Sequence, residues 1–198
     1  ANVRFMRAAY HYYLMELYGP IPIVDHSMTL EDDLDLPRNS LDEVIDFIDR
    51  ELKECMEEMA QEPYHDNENL RAVPTKGAAL ALRAKLWVYA ASPLYNEGQD
   101  HWEEAYQITK KSFQNLKANG YELYNRINYP AVYAQPTAHF PNDQAAYFNE
   151  YFTQNMVYSS NPADRETIYA NRSDQGLLYD FDGIDLNRCR PYKDFGRG

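Results

Sequence analysis

The stretch that decides the fold of this chain is Arg4-Phe-Met-Arg-Ala-Ala-Tyr-His-Tyr-Tyr-Leu-Met-Glu-Leu-Tyr-Gly-Pro-Ile-Pro-Ile-Val-Asp25. Apolar side chains recur here at helical spacing and predict a helix over about residues 2–18 with one buried stripe: Val3, Met6, Tyr10, Tyr13, Leu14 and Leu17. Gly19 supplies the left-handed residue that commonly follows a helix, and Pro20 cannot continue one. Ile21 lies between two prolines, which hold its backbone in extended geometry. We therefore expect a helix, an abrupt stop and a stiff exit.

Two further helices are predicted after an acidic loop. Ser40 and Glu43 form a capping box, in which each side chain can bond a backbone N–H group of the other residue. Apolar residues then recur at helical spacing from Leu41 to Met59, and Cys55 falls on this stripe as a buried free thiol. Residues 76–91 are apolar nearly all round, which predicts a helix packed on most of its sides.

A fourth helix begins near Asp100 and pairs with the third in the manner of a tetratricopeptide unit. Its small residues Ala105 and Ser112 let a neighbouring helix approach closely. Tandem pairs of this kind predict a short helical solenoid with a continuous core. The predicted fold is therefore mainly α, with tetratricopeptide-like helical pairs over residues 1–120. Residues 121–198 are predicted to be a loop-rich extension of the same domain with one further helix.

Composition excludes several classes of function. The chain has 198 residues, of which 44% are apolar, so it can bury one core. Its formal net charge of -12 makes nucleic acid a poor partner, because phosphate binding needs a basic face. Cys55 and Cys189 are too few for a disulfide framework, and the histidines are scattered, so no metal site is predicted. No apolar run approaches the roughly 18 residues that a membrane span needs.

The opening stretch resembles the signature of the SusD/RagB family of outer-membrane, nutrient-binding lipoproteins. The resemblance lies in an Arg-Ala helix, a Tyr-Gly stop and a Pro-Ile-Val exit, here Arg7-Ala8, Tyr18-Gly19 and Pro22-Ile23-Val24. Three later segments resemble the family in the same order: residues 37–44, 71–95 and 166–170. The clear match covers roughly the first half of the chain.

The resemblance implies a cell-surface protein that captures oligosaccharide without chemistry on the sugar. It implies a SusC-like TonB-dependent transporter as partner and an outer-membrane location through a lipid anchor. Since the chain begins inside a helical pattern at Ala1 and closes on Phe195-Gly-Arg-Gly198, we expect an internal fragment of a longer protein, with the signal and the anchor outside it. The family's binding residues follow no motif, so the resemblance transfers no site residue.

Aromatic residues are the natural candidates for a sugar site, because a sugar ring stacks its apolar face on them. The chain has 18 Tyr, 8 Phe and 2 Trp. Those at helical spacing are predicted to lie in the core: Tyr10, Tyr13, Trp87, Tyr89, Trp102 and Phe113. The predicted ligand-binding residues lie outside the periodic helices: Tyr124, Asn125, Arg126, Tyr129, Tyr133 and Phe140.

Alternative functions stay open. One is a tetratricopeptide-type adaptor that binds a protein segment in its helical groove, and another is a peptide-binding member of the same family. A glycosidase would need two carboxylates across the scissile bond, but among 31 acidic residues some pair meets any spacing by chance. No nucleophile motif or phosphate loop is present, so we predict no enzyme and no cofactor.

Overall fold

The structure is a computed structural model that describes residues 1–29, 31, 35–63, 70, 73–96, 98–124, 141–153 and 165–169, without the side chains of 149–153. Across these ranges the regular structure is helical, with no strand. Five helices follow in order: α1 (Asn2–Tyr18), α2 (Leu41–Cys55), α3 (Lys76–Ala91), α4 (Trp102–Ala118) and α5 (Asp143–Thr153). The prediction of a mainly α fold is confirmed.

The predicted helix ends form through local hydrogen bonds. The Ser40 N–H group donates to Glu43 Oε2 at 2.8 Å, and the Glu43 N–H group donates to Ser40 Oγ at 3.3 Å, so the capping box is present. Gly19 has a φ of 70° and donates its N–H to the Met15 carbonyl at 2.8 Å. Its positive φ is the backbone geometry that glycine adopts without a steric cost.

The exit from α1 is held by His11 of α1 and by Asn39, which lies just before α2. Ile21 is buried, and its carbonyl accepts the Asn39 N–H group at 3.2 Å. The Asn39 side chain in turn accepts the Ile23 N–H group at 2.9 Å. The Val24 N–H group donates to Nε2 of the buried His11 at 3.4 Å. These bonds place the start of α2 against the end of α1.

Two helix pairs share one core. α1 packs chiefly on α2 and α3 chiefly on α4, while α2 also contacts α3. Ala105 and Ser112 are both buried on the face that α4 turns to α3, as their small size predicts. The largest buried side chains of the shared core come from α1, α2 and α3: Tyr12, Met15, Val44, Ile48, Leu52 and Leu86.

Two buried carboxylates on α2 link it to its neighbours. Asp49 Oδ1 accepts hydrogen bonds from Arg83 Nε at 2.6 Å and from Trp87 Nε1 at 2.8 Å, both on α3. Glu51 pairs with Arg7 on α1, whose Nε lies 2.9 Å from Glu51 Oε2. Charged hydrogen bonds therefore join α2 to α3 through Asp49 and to α1 through Glu51.

The prediction of which α1 face is buried is wrong. Most of the predicted stripe faces solvent, and a second apolar face packs on α2 and α3 instead: Phe5, Ala8, Ala9, Tyr12 and Met15. Two of the predicted core aromatics on α4, Trp102 and Phe113, are also exposed, whereas Trp87 is buried as predicted. The α1 prediction failed because this helix is apolar on two faces, and helical spacing alone does not show which of the two faces is buried.

Gly77 gives the first testable prediction, because Tyr121 packs directly on it. A Cβ atom at residue 77 would lie 2.5 Å from Tyr121 Oη and 2.8 Å from two ring carbons. The Tyr121 ring is buried, and its hydroxyl lies 3.1 Å from Thr75 Oγ1, so it has little room to move. We expect Gly77→Ala to lower the free energy of unfolding by about 1–3 kcal/mol in urea denaturation, although alanine favours the helix.

A double-mutant cycle separates this clash from other effects. In a Tyr121→Ala background, Gly77→Ala should be neutral or stabilising, because alanine has the higher helix propensity. An equal loss of stability in both backgrounds would show that the Tyr121 contact is not the cause.

Candidate functional site

A cleft of about 520 Å³ lies between α1 and α3, with a third wall formed by residues 166–169. α1 contributes two tyrosines and three apolar residues: Phe5, Met6, Ala9, Tyr10 and Tyr13. α3 contributes three apolar residues and one lysine: Ala78, Ala81, Leu82 and Lys85. The cleft is therefore built on two rigid helices and closed on one side by a later part of the chain.

The third wall is held in place by backbone and ring contacts. The Glu122 N–H group donates to the Arg165 carbonyl at 3.2 Å, and the Tyr124 N–H group donates to Glu166 Oε2 at 3.0 Å. The Tyr169 ring meets the Phe5 ring edge-on, with 5.9 Å between centroids. Residues 165–169 are thus fixed to both α1 and the segment after α4.

Three tyrosines line the cleft, Tyr10, Tyr13 and Tyr169. Tyr10 and Tyr13 are 60% and 55% exposed, although both line it. Burial raises the pKa of Tyr169, and the nearby phenol groups of Tyr10 and Tyr13 raise it further. All three tyrosines line the same cleft. Each offers an apolar ring face and a hydroxyl that can donate or accept a hydrogen bond.

The charges of the cleft are nearly balanced. Lys85 Nζ lies 3.1 Å from Glu16 Oε1 and 4.9 Å from the centre of the Tyr12 ring. Desolvation lowers the pKa of Lys85, but the hydrogen bonds and charge interactions with Glu16 and Tyr12 together outweigh it and raise the pKa, so the ammonium group stays charged. Glu166 adds a carboxylate on the opposite wall. The one lysine of the cleft is thus already paired.

The structure describes one of the six ligand-binding residues predicted from the sequence, and that residue does not line the cleft. Tyr124 is buried, and its ring meets the Tyr147 ring edge-on at 6.4 Å between centroids. The other five lie outside the described residues: Asn125, Arg126, Tyr129, Tyr133 and Phe140. That site stays a prediction. Helical spacing did not predict this cleft, because it places Tyr10 and Tyr13 in the core. The sequence feature that points to the cleft is that α1 is apolar on two faces, of which only one can pack on α2 and α3.

The described part of the chain gives little support to a metal site or a reactive cysteine. No group of three His, Cys, Asp or Glu residues there could hold a metal ion. Cys55 is a buried free thiol as predicted, and burial raises its pKa to about 11, which disfavours the reactive thiolate. Cys189 lies outside the described residues. Within the same ranges, no helix is long and apolar enough to cross a membrane.

Residues 1–88 match a family model named SusD-like and described as "Starch-binding associating with outer membrane". No curated protein matches the chain significantly. The matched residues contain α1, α2 and every α3 residue that lines the cleft.

Solved structures are similar to this chain. A SusD-like protein from Bacteroides fragilis is 28% identical, with a TM-score of 0.50 over 62% of this chain and 21% of that protein. A SusD superfamily protein from Parabacteroides distasonis is 25% identical, also with a TM-score of 0.50, over 62% of this chain and 25% of that protein. A protein named BT4246 shares the fold at 20% identity, with a TM-score of 0.64 over 87% of this chain and 34% of its own length. This chain thus spans 21% to 34% of these structures, and the predicted resemblance is confirmed.

Proposed function

Because this chain is SusD-like over residues 1–88, we propose that it is the glycan-binding component of a SusC–SusD-type uptake system at the outer membrane. In this role it captures oligosaccharide at the cell surface and delivers it to a TonB-dependent transporter. It would be held at the membrane as a lipoprotein, through a lipid anchor. Binding is non-covalent, by ring stacking and hydrogen bonds, and the sugar leaves unchanged.

The observation that carries this proposal is the position of the family match. The matched residues build both helical walls of the one cleft described above, where tyrosine rings remain open to solvent. Partly apolar pockets with a few placed polar groups are typical of small-ligand sites. The described residues also lack a paired set of acids in this cleft, since Glu166 is the single carboxylate that lines it.

We further propose that residues 1–120 and 121–198 belong to one domain. Two contacts support this. Tyr121 hydrogen-bonds to Thr75 across the start of α3, and Tyr169 packs on Phe5 of α1. The later part of the chain would then complete the helical region instead of folding beside it.

The direct test is a glycan array with the 198-residue chain, followed by calorimetry on the glycans that it retains. We expect saturable binding of at least one oligosaccharide and no release of shorter products on long incubation. Absence of binding to every glycan would contradict the proposal. Sustained product release that is lost on replacing Glu166 by Gln would establish an enzyme instead.

A second candidate function is a protein-interaction adaptor of the tetratricopeptide type. It is favoured by the aromatic residues that α4 leaves exposed, Trp102, Tyr106 and Phe113. Co-purification distinguishes the two. A soluble partner that is lost on Phe113→Ala would favour the adaptor, whereas an outer-membrane transporter would favour the uptake system. Tight binding of a peptide in place of any glycan would indicate a peptide-binding member of the same family.

A further inference from the structure

We propose that a neutral glycan chain binds in the cleft between α1 and α3, with sugar rings stacked on Tyr10 and Tyr13. This inference rests on the proposed function and adds the place of binding and the class of ligand. Its support comes from the shape of the tyrosine surface, from the pairing of the charges around it, and from a comparison with the other exposed aromatic residues.

Tyr10 and Tyr13 form a surface suited to consecutive sugar rings. They are three residues apart on one helix, and side chains at this spacing have Cβ atoms about 5–6 Å apart. Both rings remain more than half exposed, so a ligand can reach them without moving the helix. The cleft floor between them and α3 is apolar, with Met6, Ala9 and Leu82. A sugar ring presents an apolar face to such a floor and hydroxyl groups at its edge.

The charges of the cleft favour a neutral ligand over an anionic one. An anionic sugar would need an available cation, but the Lys85 ammonium group is already paired with Glu16 at 3.1 Å. The Glu166 carboxylate on the facing wall would repel an acidic sugar, and the chain as a whole carries a formal charge of -12. Hydroxyl groups, by contrast, can donate to Glu166 and exchange hydrogen bonds with the phenol groups.

Two of the three exposed aromatic residues of α4, Tyr106 and Phe113, are less suited to stacking, and the third, Trp102, does not line the cleft. Lys110 Nζ lies 5.4 Å from the centre of the Tyr106 ring, and Lys117 Nζ lies 5.9 Å from that of the Phe113 ring. Each ring face is therefore partly covered by a lysine of its own helix. Among the described contacts no lysine lies over the Tyr10 or Tyr13 ring, and the Tyr13 ring meets the Tyr12 ring edge-on, with 5.9 Å between centroids.

Calorimetry with maltohexaose on the full 198-residue chain tests the place of binding. Tyr10→Ala and Tyr13→Ala should each weaken binding by about tenfold, because each removes one stacking surface. Tyr18→Ala is the matched control, since Tyr18 is 62% exposed on the same helix but does not line the cleft. Wild-type affinity in the Tyr10 and Tyr13 variants would overturn the inference while leaving the proposed function in place.

A hexagalacturonate of equal length tests the class of ligand. We expect maltohexaose to bind with little dependence on salt and hexagalacturonate to bind more weakly. Tighter binding of hexagalacturonate, with an affinity that falls as salt rises, would overturn the neutral assignment. Failure of the wild-type chain to bind any glycan on the array would instead contradict the proposed function itself.

Nitration of tyrosines in the wild-type chain tests the place of binding without any substitution. Treatment with tetranitromethane, followed by mass spectrometry, reports the accessibility of each tyrosine. Saturating maltohexaose should protect Tyr10 and Tyr13 and leave Tyr18 as reactive as before. Equal protection of all three tyrosines, or of none, would contradict binding in the cleft.

Discussion

Replacing Asp49 by alanine is expected to lower the free energy of unfolding by about 3–5 kcal/mol, because it leaves a largely buried cation without its partner. The Arg83 side chain is only 15% exposed and bonds to Asp49 Oδ1 at 2.6 Å. The Trp87 Nε1–H group, bonded to the same oxygen at 2.8 Å, would lose its acceptor. Urea denaturation followed by circular dichroism measures the change, with an unchanged m-value indicating that the unfolded state is unaffected.

Asp46→Ala is the matched control, since Asp46 lies one turn earlier on the exposed face of α2. We expect it to change stability by no more than about 0.5 kcal/mol. Lys53, the third partner of Asp49, is 56% exposed, so Lys53→Ala should cost no more than about 1 kcal/mol. Equal losses in the Asp46 and Asp49 variants would show that the buried ion pair is not what stabilises the fold.

The pKa of Asp49 predicts how the stability of the fold changes with pH. Burial alone would raise the pKa of Asp49, but hydrogen bonds from Arg83, Lys53 and Trp87 outweigh it and hold the pKa below the ordinary 3.8. The stabilisation is therefore present above the unfolded-state pKa and is lost as the pH falls through the native one. The stability difference between the wild-type chain and Asp49→Asn should accordingly shrink as the pH is lowered below about 4. A difference that stays constant down to acid unfolding would contradict this account.

Replacing Met15 by alanine is expected to lower the free energy of unfolding by about 2–5 kcal/mol, because it opens a cavity in the shared core. Met15 is fully buried, at 0% exposure, whereas Leu17, two residues further along α1, is 74% exposed. Leu17→Ala should therefore change stability by no more than about 0.5 kcal/mol. Both substitutions introduce alanine into the same helix, so the comparison reports burial with little effect of helix propensity.

This pair of variants distinguishes the two faces of α1. The stripe predicted from the sequence contains Leu17 and not Met15, so it predicts the opposite result. A larger loss in the Leu17 variant than in the Met15 variant would restore the predicted stripe and remove Tyr10 and Tyr13 from the solvent-facing surface. The proposed sugar site would then lose its basis as well.

Local signals accounted for the helices and their pairing but not for which face of α1 is buried. The Ser40–Glu43 capping box, the Gly19 stop and the continuous apolar character of residues 76–91 each predicted an element that the structure contains. Ala105 and Ser112 likewise indicated a close helix contact. These features depend on residues within a few positions of one another, which is why a sequence can report them.

The candidate site depends on residues far apart in the chain. Tyr10, Lys85 and Glu166 meet in one cleft although more than one hundred and fifty positions separate the first from the last. Neither residue spacing nor composition predicts a contact between such distant parts of the chain. The ion pairs Asp49–Arg83 and Glu51–Arg7 are similar, because their buried carboxylates read in the sequence as ordinary charges on α2 until its neighbours pack against them.

The sequence by itself determined that α1 begins near residue 2, stops before Gly19 and passes into a segment restricted by two prolines. Hydrogen bonding within a turn and the fixed φ of proline are properties of adjacent residues, so the stop at Gly19 and the restricted backbone after it can be predicted locally. Only the tertiary structure decided which face of α1 is buried. The helix is apolar on both sides, and the packing of α2 and α3 against Tyr12 and Met15 left Tyr10 and Tyr13 open beside the cleft.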